Sequence, residues 1–240
     1  MEVLGIIPAR DGSKSIPLKN IRDFNGKPLV SWTILDAKKS NVNRVIVSTD
    51  SPEIAGIATQ YGAEAPFLRP KNISKDTDEI EPSLIHTLNF LKEKESYCPD
   101  YVALLFPTAP FRTANDINEA ISLGEIKKPD SVISVSRAIA NHNPHWMLMK
   151  NDDASVTRFT GGLLKDVNAR RQDSPEVYFK NDFVFLIKPD NLYEERPGLY
   201  GDNIELMIAE DDRFDVDINS EKDWRIAELL FRDFISNKMN

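Results

Sequence analysis

Residues 3–21 read VLGIIPARDGSKSIPLKNI. The stretch opens with an uninterrupted apolar run, residues 3–7, that stops at Pro8. A strand with one wet face alternates apolar and polar side chains, whereas a run apolar throughout has both faces covered. The run therefore predicts a fully buried strand. Beyond it, residues 9–27 have no clear period and are rich in Gly, Ser, Pro, Asn and basic residues, which predicts a long loop. In open sheets of buried strands, ligands bind at the carboxyl ends, where this loop begins.

The same reading extends outward. Pro28 opens a stretch with Leu29, Val30, Trp32, Ile34, Leu35 and Ala37 at apolar positions, a helix with proline in its first turn. RVIVS (44–48), YVALLF (101–106) and SVISVS (131–136) predict three more buried strands. Helices are predicted over 52–61 with Ser51 as N-cap, over 81–94, and over 114–123 behind Thr113. Buried strands alternating with helices predict an α/β fold with a mostly parallel sheet covered on both faces. The segments PARDGS (8–13), STDS (48–51) and PTAP (107–110) follow strands and lie where such a sheet places ligands.

From about residue 138 to 171 the pattern breaks down around His142, Pro144, His145, Trp146 and the pair Gly161-Gly162. We read about 138–170 as an insert that leaves the main sheet, a hairpin arm used in dimerisation, within one domain spanning 1–240. Strand character returns over 178–187 and 203–209. An amphipathic helix over 221–235 closes the chain, with Trp224, Ile226, Ala227, Leu229, Leu230 and Phe234 at apolar positions.

The 240 residues are 41% hydrophobic and carry a formal net charge of −8, enough apolar content for a sizeable core. Such an acidic chain is a poor nonspecific binder of nucleic acid or anionic membrane, so neither is expected as a partner. Cys98 is the single cysteine, so no intramolecular disulfide forms and a reducing, cytoplasmic setting is expected. The N-terminus lacks a basic leader, and no apolar run approaches the ~20 residues that span a bilayer.

Against this acidic background the first 27 residues hold Arg10, Lys14, Lys19, Arg22 and Lys27. Gly12 permits a left-handed turn and close backbone approach, and consecutive loop amides can cradle an anion. A phosphate site and a solvated basic loop both fit these residues. The loop is neither GxxxxGK[ST] nor GxGxxG, which argues against a P-loop or plain dinucleotide fold.

PARDGSKSIPLKNI (8–21) resembles the first signature of the acylneuraminate cytidylyltransferases, the CMP-sialic acid synthetases. Further blocks follow in the family's order: VSTDSPEIA (47–55), RPKNISKDT (69–77), PTAPFR (107–112), RQDSPEVYFKND (171–182) and DVDINSEKDW (215–224). The resemblance implies a Rossmann-like nucleotidyltransferase sheet with a smaller dimerisation region, a homodimer, and CTP and an acidic sugar as substrates. It implies that Arg10, Gly12, Ser13, Lys14, Lys19 and Asn20 hold the nucleotide, with Arg69, Asp76 and Thr77 contacting it further. Arg171 and Gln172 of the RQD block would lie near the reacting centre or the sugar carboxylate, with Asn181 on the sugar side.

The chain departs from the family pattern mainly at the sugar end. Ser15 replaces the usual glycine after GSK. Phe106 stands where a sugar-binding glutamine usually precedes the PTAP-like block, Asp182 stands where the family often has glycine, and Leu199-Tyr200 lies near the place of a Phe-Phe pair. These changes make legionaminate or pseudaminate at least as plausible as N-acetylneuraminate.

Nucleotidyl transfer onto a hydroxyl needs a neutralised phosphate, and Mg²⁺ suits oxygen ligands drawn from one or two carboxylates plus substrate phosphates. Asp215 and Asp217, at i and i+2 on an extended segment, project to one side and would meet one Mg²⁺ ion, with Mn²⁺ as an alternative. Two exposed acids on a half-buried strand are the competing reading. In catalysis Arg10, Lys19, Arg171 and Asp217 are the expected actors. His86, His142, His145 and Cys98 lack any constellation that marks a zinc site or nucleophile. A nucleotidyltransferase for another sugar or base, or a non-catalytic nucleotide-binding relative, are the remaining alternatives.

Overall fold

Gly5 sits between two strands, opposite Val45 on one side and Ala103 on the other, so the first apolar run is interior to a sheet. This run is β1 (Val3–Pro8), paired in parallel with β4 (Arg44–Ser48) and β5 (Tyr101–Leu104) in the computed structural model. The structure describes residues 1–74, 78–138, 142–162, 164–166, 175–209 and 216–238. Val3 and Ile7 face one core with Val45 and Val47, and Leu4 and Ile6 face the other with Ile46, Val102 and Leu104. Burial on both faces is why this strand's sequence is apolar without alternation.

The sheet has six strands in the order β10-β6-β9-β5-β1-β4. It includes β6 (Ser131–Arg137), β9 (Tyr178–Ile187) and β10 (Ile204–Ile208). Only β9 runs against the others, antiparallel to β5 on one side and β6 on the other. α1 (Leu29–Lys39) and α4 (Ala114–Lys127) supply one covering layer, and Leu84, Leu88 and Leu91 of α3 (Glu81–Glu95) pack into the opposite core. Ser51 caps α2 (Pro52–Gln60), and a reciprocal Thr113–Asp116 capping box opens α4.

Several local expectations change. The 9–27 loop contains a short hairpin of β2 (Asp23–Phe24) and β3 (Lys27–Pro28), turned by Asn25 at φ 50° and Gly26 at φ 86°. Positive φ at both central residues is what an Asn-Gly hairpin turn supplies. Pro28 ends β3 and caps α1 rather than lying in its first turn. In α5 (Glu221–Lys238), Trp224, Ala227 and Phe231 are buried, but Ile226 and Leu229 face outward. Phe231 instead joins Phe24, Trp32 and Phe111 in an aromatic cluster.

Between β6 and β9 lie β7 (Leu148–Lys150) and β8 (Val156–Arg158), antiparallel to each other in a separate two-stranded sheet. Among the described residues no helix is long and apolar enough to cross a membrane.

Candidate active site

The carboxyl ends of β1, β4 and β5 bring three loops together. Ala9 continues the β1–β4 ladder by donating its N–H to the Ser48 carbonyl, which fixes where Arg10 leaves the sheet. Asn20 is buried and donates from Nδ2 to the Arg10 carbonyl at 2.8 Å, so the far end of the loop is folded back on its start. Lys19, next to it, donates from Nζ to the Ile218 carbonyl at 3.0 Å. Burial lowers the Lys19 pKa; Asp217 opposes that shift and Arg10 adds to it.

Arg69 enters from the loop after α2. Its N–H bonds the Thr49 carbonyl at 2.7 Å, its Nη1 bonds Ser83 Oγ at 2.8 Å and its Nε bonds Ser74 Oγ at 3.0 Å. Only 6% of Arg69 is exposed, and burial lowers its pKa, with Asp50 opposing and Arg10 reinforcing. A buried guanidinium held by neutral hydroxyls, with no ion pair among the described residues, is suited to a phosphate. Arg10, Lys19, Asn20, Arg69, Ser83 and Phe106 line one cavity of about 250 Å³.

The basic cluster in the sequence therefore divides. Arg22 pairs with Glu221 at 2.5 Å and lies over the Trp224 ring, and Lys27 lies over Trp32. Arg22 braces α5 and Lys27 braces the hairpin against α1, and neither lines the cavity. Gly12 is not in the left-handed region, and a Cβ there would meet nothing within 4 Å; Leu18 takes that conformation instead, at φ 53°. Ser13 accepts the Ile16 N–H, and Lys14 is exposed on the same loop. Asp50 accepts the Asp11 N–H at 3.1 Å and so ties the loop to the end of β4.

Phe106 forms part of the cavity wall. Its ring stands edge-on to Phe185, with centroids 6.1 Å apart, and its carbonyl accepts from Arg112 Nη1 at 3.1 Å. Arg112 is fully buried and also binds the Phe183 carbonyl and Thr33 Oγ1, so one side chain joins the turn after β5, β9 and α1. Burial drops the Arg112 pKa to about 10, with Asp36 and Asp116 opposing, so the guanidinium remains charged at neutral pH.

The remaining predicted residues are scattered. Asn181 is buried, donating to Ser136 Oγ and accepting from the Phe183 N–H. Leu199 packs into the core beneath α3 and Tyr200 lies beside Lys180; neither lines the cavity. Asp76, Thr77, Arg171, Gln172 and Asp215 lie outside the described residues.

Asp217 precedes Ile218, whose N–H is anchored to the Thr108 carbonyl at 3.0 Å and whose carbonyl accepts from Lys19. Asn219 donates to Asp217 Oδ2, while the buried Oδ1 has no hydrogen-bond partner among the described residues. An orphaned carboxylate oxygen is costly unless something electropositive meets it, and a hard divalent cation fits that oxygen. Asp182 is half-buried nearby; burial raises its pKa and Asp217 raises it further, with Lys180 opposing. Sequence reasoning noted Asp182 only as a departure and missed Ser83 and Arg112 as supports. Two signals were available: Asp182 is a charged residue where the family resemblance places glycine, and Arg112 closes the PTAPFR block.

A larger cavity of about 1080 Å³ opens at the other end of the sheet, lined by Tyr97, Tyr101 and Tyr193. Its lysines alternate with Asp100, Glu125 and Asp190, and none of the predicted site residues reaches it. The smaller cavity, where Arg10, Lys19 and Arg69 outnumber Asp78 and Glu79 and where the predicted residues meet, is the candidate site.

Comparison with known proteins bears on the family and the fold. The chain is 31% identical over 231 residues to the CMP-N,N'-diacetyllegionaminic acid synthase of Legionella pneumophila, covering 96% of each. It is 40% identical over 121 residues to a pseudaminic acid cytidylyltransferase of Campylobacter jejuni, covering 50% of this chain and 52% of that protein. The solved structure of CMP:2-keto-3-deoxy-manno-octonic acid synthetase complexed with CTP shares the fold, with a TM-score of 0.70 at 16% identity over 97% of this chain and 99% of that one. Residues 4–156 match the family described as Cytidylyltransferase, and with the full-length likeness to the Legionella protein this shows that the chain belongs to the cytidylyltransferase family.

Proposed function

We propose that the protein transfers CMP from CTP to the anomeric hydroxyl of a nonulosonic, sialic-acid-like sugar acid and releases pyrophosphate. The observation that carries this reading is the convergence of Arg10, Lys19 and Arg69 with Asn20 on one cavity at the carboxyl edge of the sheet. Three cations in an otherwise acidic chain suit a triphosphate, and relatives over the full length are named as synthases of a CMP-linked sugar acid. In the reaction the sugar oxygen bonds to the α-phosphorus and loses its proton to solvent water. The bond from that phosphorus to the bridging oxygen breaks, and pyrophosphate leaves with the electron pair. Arg10, Lys19 and Arg69 hold the polyphosphate in line and stabilise its developing charge. Asp217, with Asp215, would hold Mg²⁺ or Mn²⁺, which neutralises the α-phosphate when bound.

The test is pyrophosphate release with CTP, Mg²⁺ and a panel of nonulosonic acids, repeated with the other nucleoside triphosphates and with chelator. CTP should be preferred, and chelator should abolish turnover. CTP binding without pyrophosphate release from any sugar acid would identify a non-catalytic relative. Undiminished turnover in chelator would remove the metal from this reading.

The same reading includes a cytoplasmic homodimer. The β7–β8 arm exposes Met147, Leu148, Met149, Val156 and Phe159, with Leu148 and Phe159 each 61% exposed. The outer strand β10 exposes Ile204, Leu206 and Ile208. Apolar and Met-rich patches of this kind support burial against a second copy. Light scattering at micromolar protein should give twice the 27.2 kDa chain mass. A monomer there would refute the dimer, and Leu148→Asp with Phe159→Asp should produce one.

A further inference from the structure

The odd strand of the sheet is deformed where it passes the site. β9 pairs with β6 through Phe185 opposite Ile133 and Lys180 opposite Val135, so residues 181–184 of β9 lie against Ser134 alone. The bulge is held at several points. Ser134 Oγ accepts the Val184 N–H, Ser136 Oγ accepts from Asn181 Nδ2, and the Phe183 carbonyl accepts from the buried Arg112. In the middle of these clamps Asp182 takes φ 56°, the left-handed conformation that glycine adopts most readily. Nothing in the bulge itself asks for a carboxylate there. Bulges re-aim side chains beside active sites, and strained residues survive where the surroundings enforce them.

The clamps also place this acid relative to Asp217. Arg112 joins Phe183 to the Phe106 carbonyl, and the Thr108 carbonyl accepts the Ile218 N–H. Asp182 and Asp217 each precede one of these anchored residues, so both are brought to the turn that follows β5. The mark of an absent partner lies on Asp217, whose buried Oδ1 receives no hydrogen bond among the described residues. Two half-buried acids brought to one turn repel each other; Lys180 acts on Asp182 and Lys19 on Asp217, and a cation between the two acids would also meet the Asp217 oxygen that has no hydrogen bond among the described residues.

We propose that Asp182 is a further carboxylate ligand of the divalent cation, sharing it with Asp217. This rests on the nucleotidyl-transfer reading above. A carboxylate supplied by β9 would tether the ion to the strand that also carries Asn181 and packs against Phe106 through Phe185.

The test measures Mn²⁺ binding by electron paramagnetic resonance titration, with a non-hydrolysable CTP analogue present, and needs no turnover. The variants are Asp182→Gly, which suits the backbone, and Asp182→Asn, which keeps the shape. Both should weaken Mn²⁺ binding by on the order of 10-fold or more. In metal-free buffer the glycine variant should melt no lower than the parent, because strain and a half-buried charge have both been removed. Unchanged Mn²⁺ affinity in Asp182→Gly would overturn the proposal. So would a lowered melting temperature with affinity intact, the mark of a purely structural residue. If the parent still releases pyrophosphate in that case, only the role of Asp182 fails. A parent that neither binds Mn²⁺ nor turns over CTP overturns both readings.

Discussion

Asp217→Ala should lower kcat by at least ~10²-fold, the scale of losing one electrostatic stabiliser of a transition state, while the fold survives. The segment around Asp217 keeps its anchors in the variant, because Ile218 is tied to Thr108 and Lys19 through backbone atoms. The substitution removes a carboxylate whose buried oxygen makes no hydrogen bond among the described residues and whose other oxygen accepts from Asn219, so the described bonding that is lost is local. Stability should therefore change little, and the effect should appear in chemistry. Asp217 is also the group that raises the Lys19 pKa against burial and Arg10. Without it Lys19 titrates lower still, so the alkaline limb of the kcat profile should move to lower pH. Pyrophosphate release under saturating CTP, followed across pH, with circular dichroism as the check on folding, measures both effects. A kcat within tenfold of the parent would remove Asp217 from the catalytic set.

The second large effect concerns which sugar is accepted. Phe106 lines the cavity that holds Arg10, Lys19 and Arg69, and its position is fixed by Phe185 at the ring and Arg112 at the carbonyl. Where the family resemblance places a glutamine, this ring offers no hydrogen bond to a sugar hydroxyl. A buried hydroxyl left unpaired costs about 1–3 kcal/mol, roughly 5- to 150-fold in specificity. The protein should therefore use a 9-deoxy sugar acid, such as legionaminate or pseudaminate, more efficiently than N-acetylneuraminate with its glycerol tail. Phe106→Gln should narrow that difference. Measuring kcat/KM for both sugar types with both proteins decides the matter, and equal or better use of N-acetylneuraminate by the parent would end the idea.

The strands that build this site were legible because each is buried on both faces. RVIVS and YVALLF contain no residue that prefers water in their interiors, and β4 matches its predicted bounds while β5 ends two residues early. Strand direction was not legible. The apolar run of β9 resembles its neighbours', and its reversal depends on where residues 138–177 lead the chain, which no local pattern records. The site was readable as a charge cluster, yet charge alone could not sort its members. Arg22 and Lys27 found Glu221, Trp224 and Trp32, partners distant in sequence or specific to the hairpin. Arg69 entered only through the resemblance, since this loop residue is confined by Ser83 on α3. The reading of α5 failed at Ile226 and Leu229 because a helix covering a narrow aromatic cluster buries only a narrow stripe.

The reversed strand also sets an order of assembly. As the chain leaves the ribosome, β1, β4 and β5 can pair with one another long before residue 178 appears, and β6 waits with no neighbour. Only β9 joins β5 to β6, so until it arrives each of those strands has an open edge facing water. Open apolar edges recruit foreign strands, and pairing distant in sequence forms slowly. The nascent chain is thus most exposed to misassembly while the β7–β8 arm is being synthesised. The strand that carries Asp182 past the site is also the one whose arrival ends that interval.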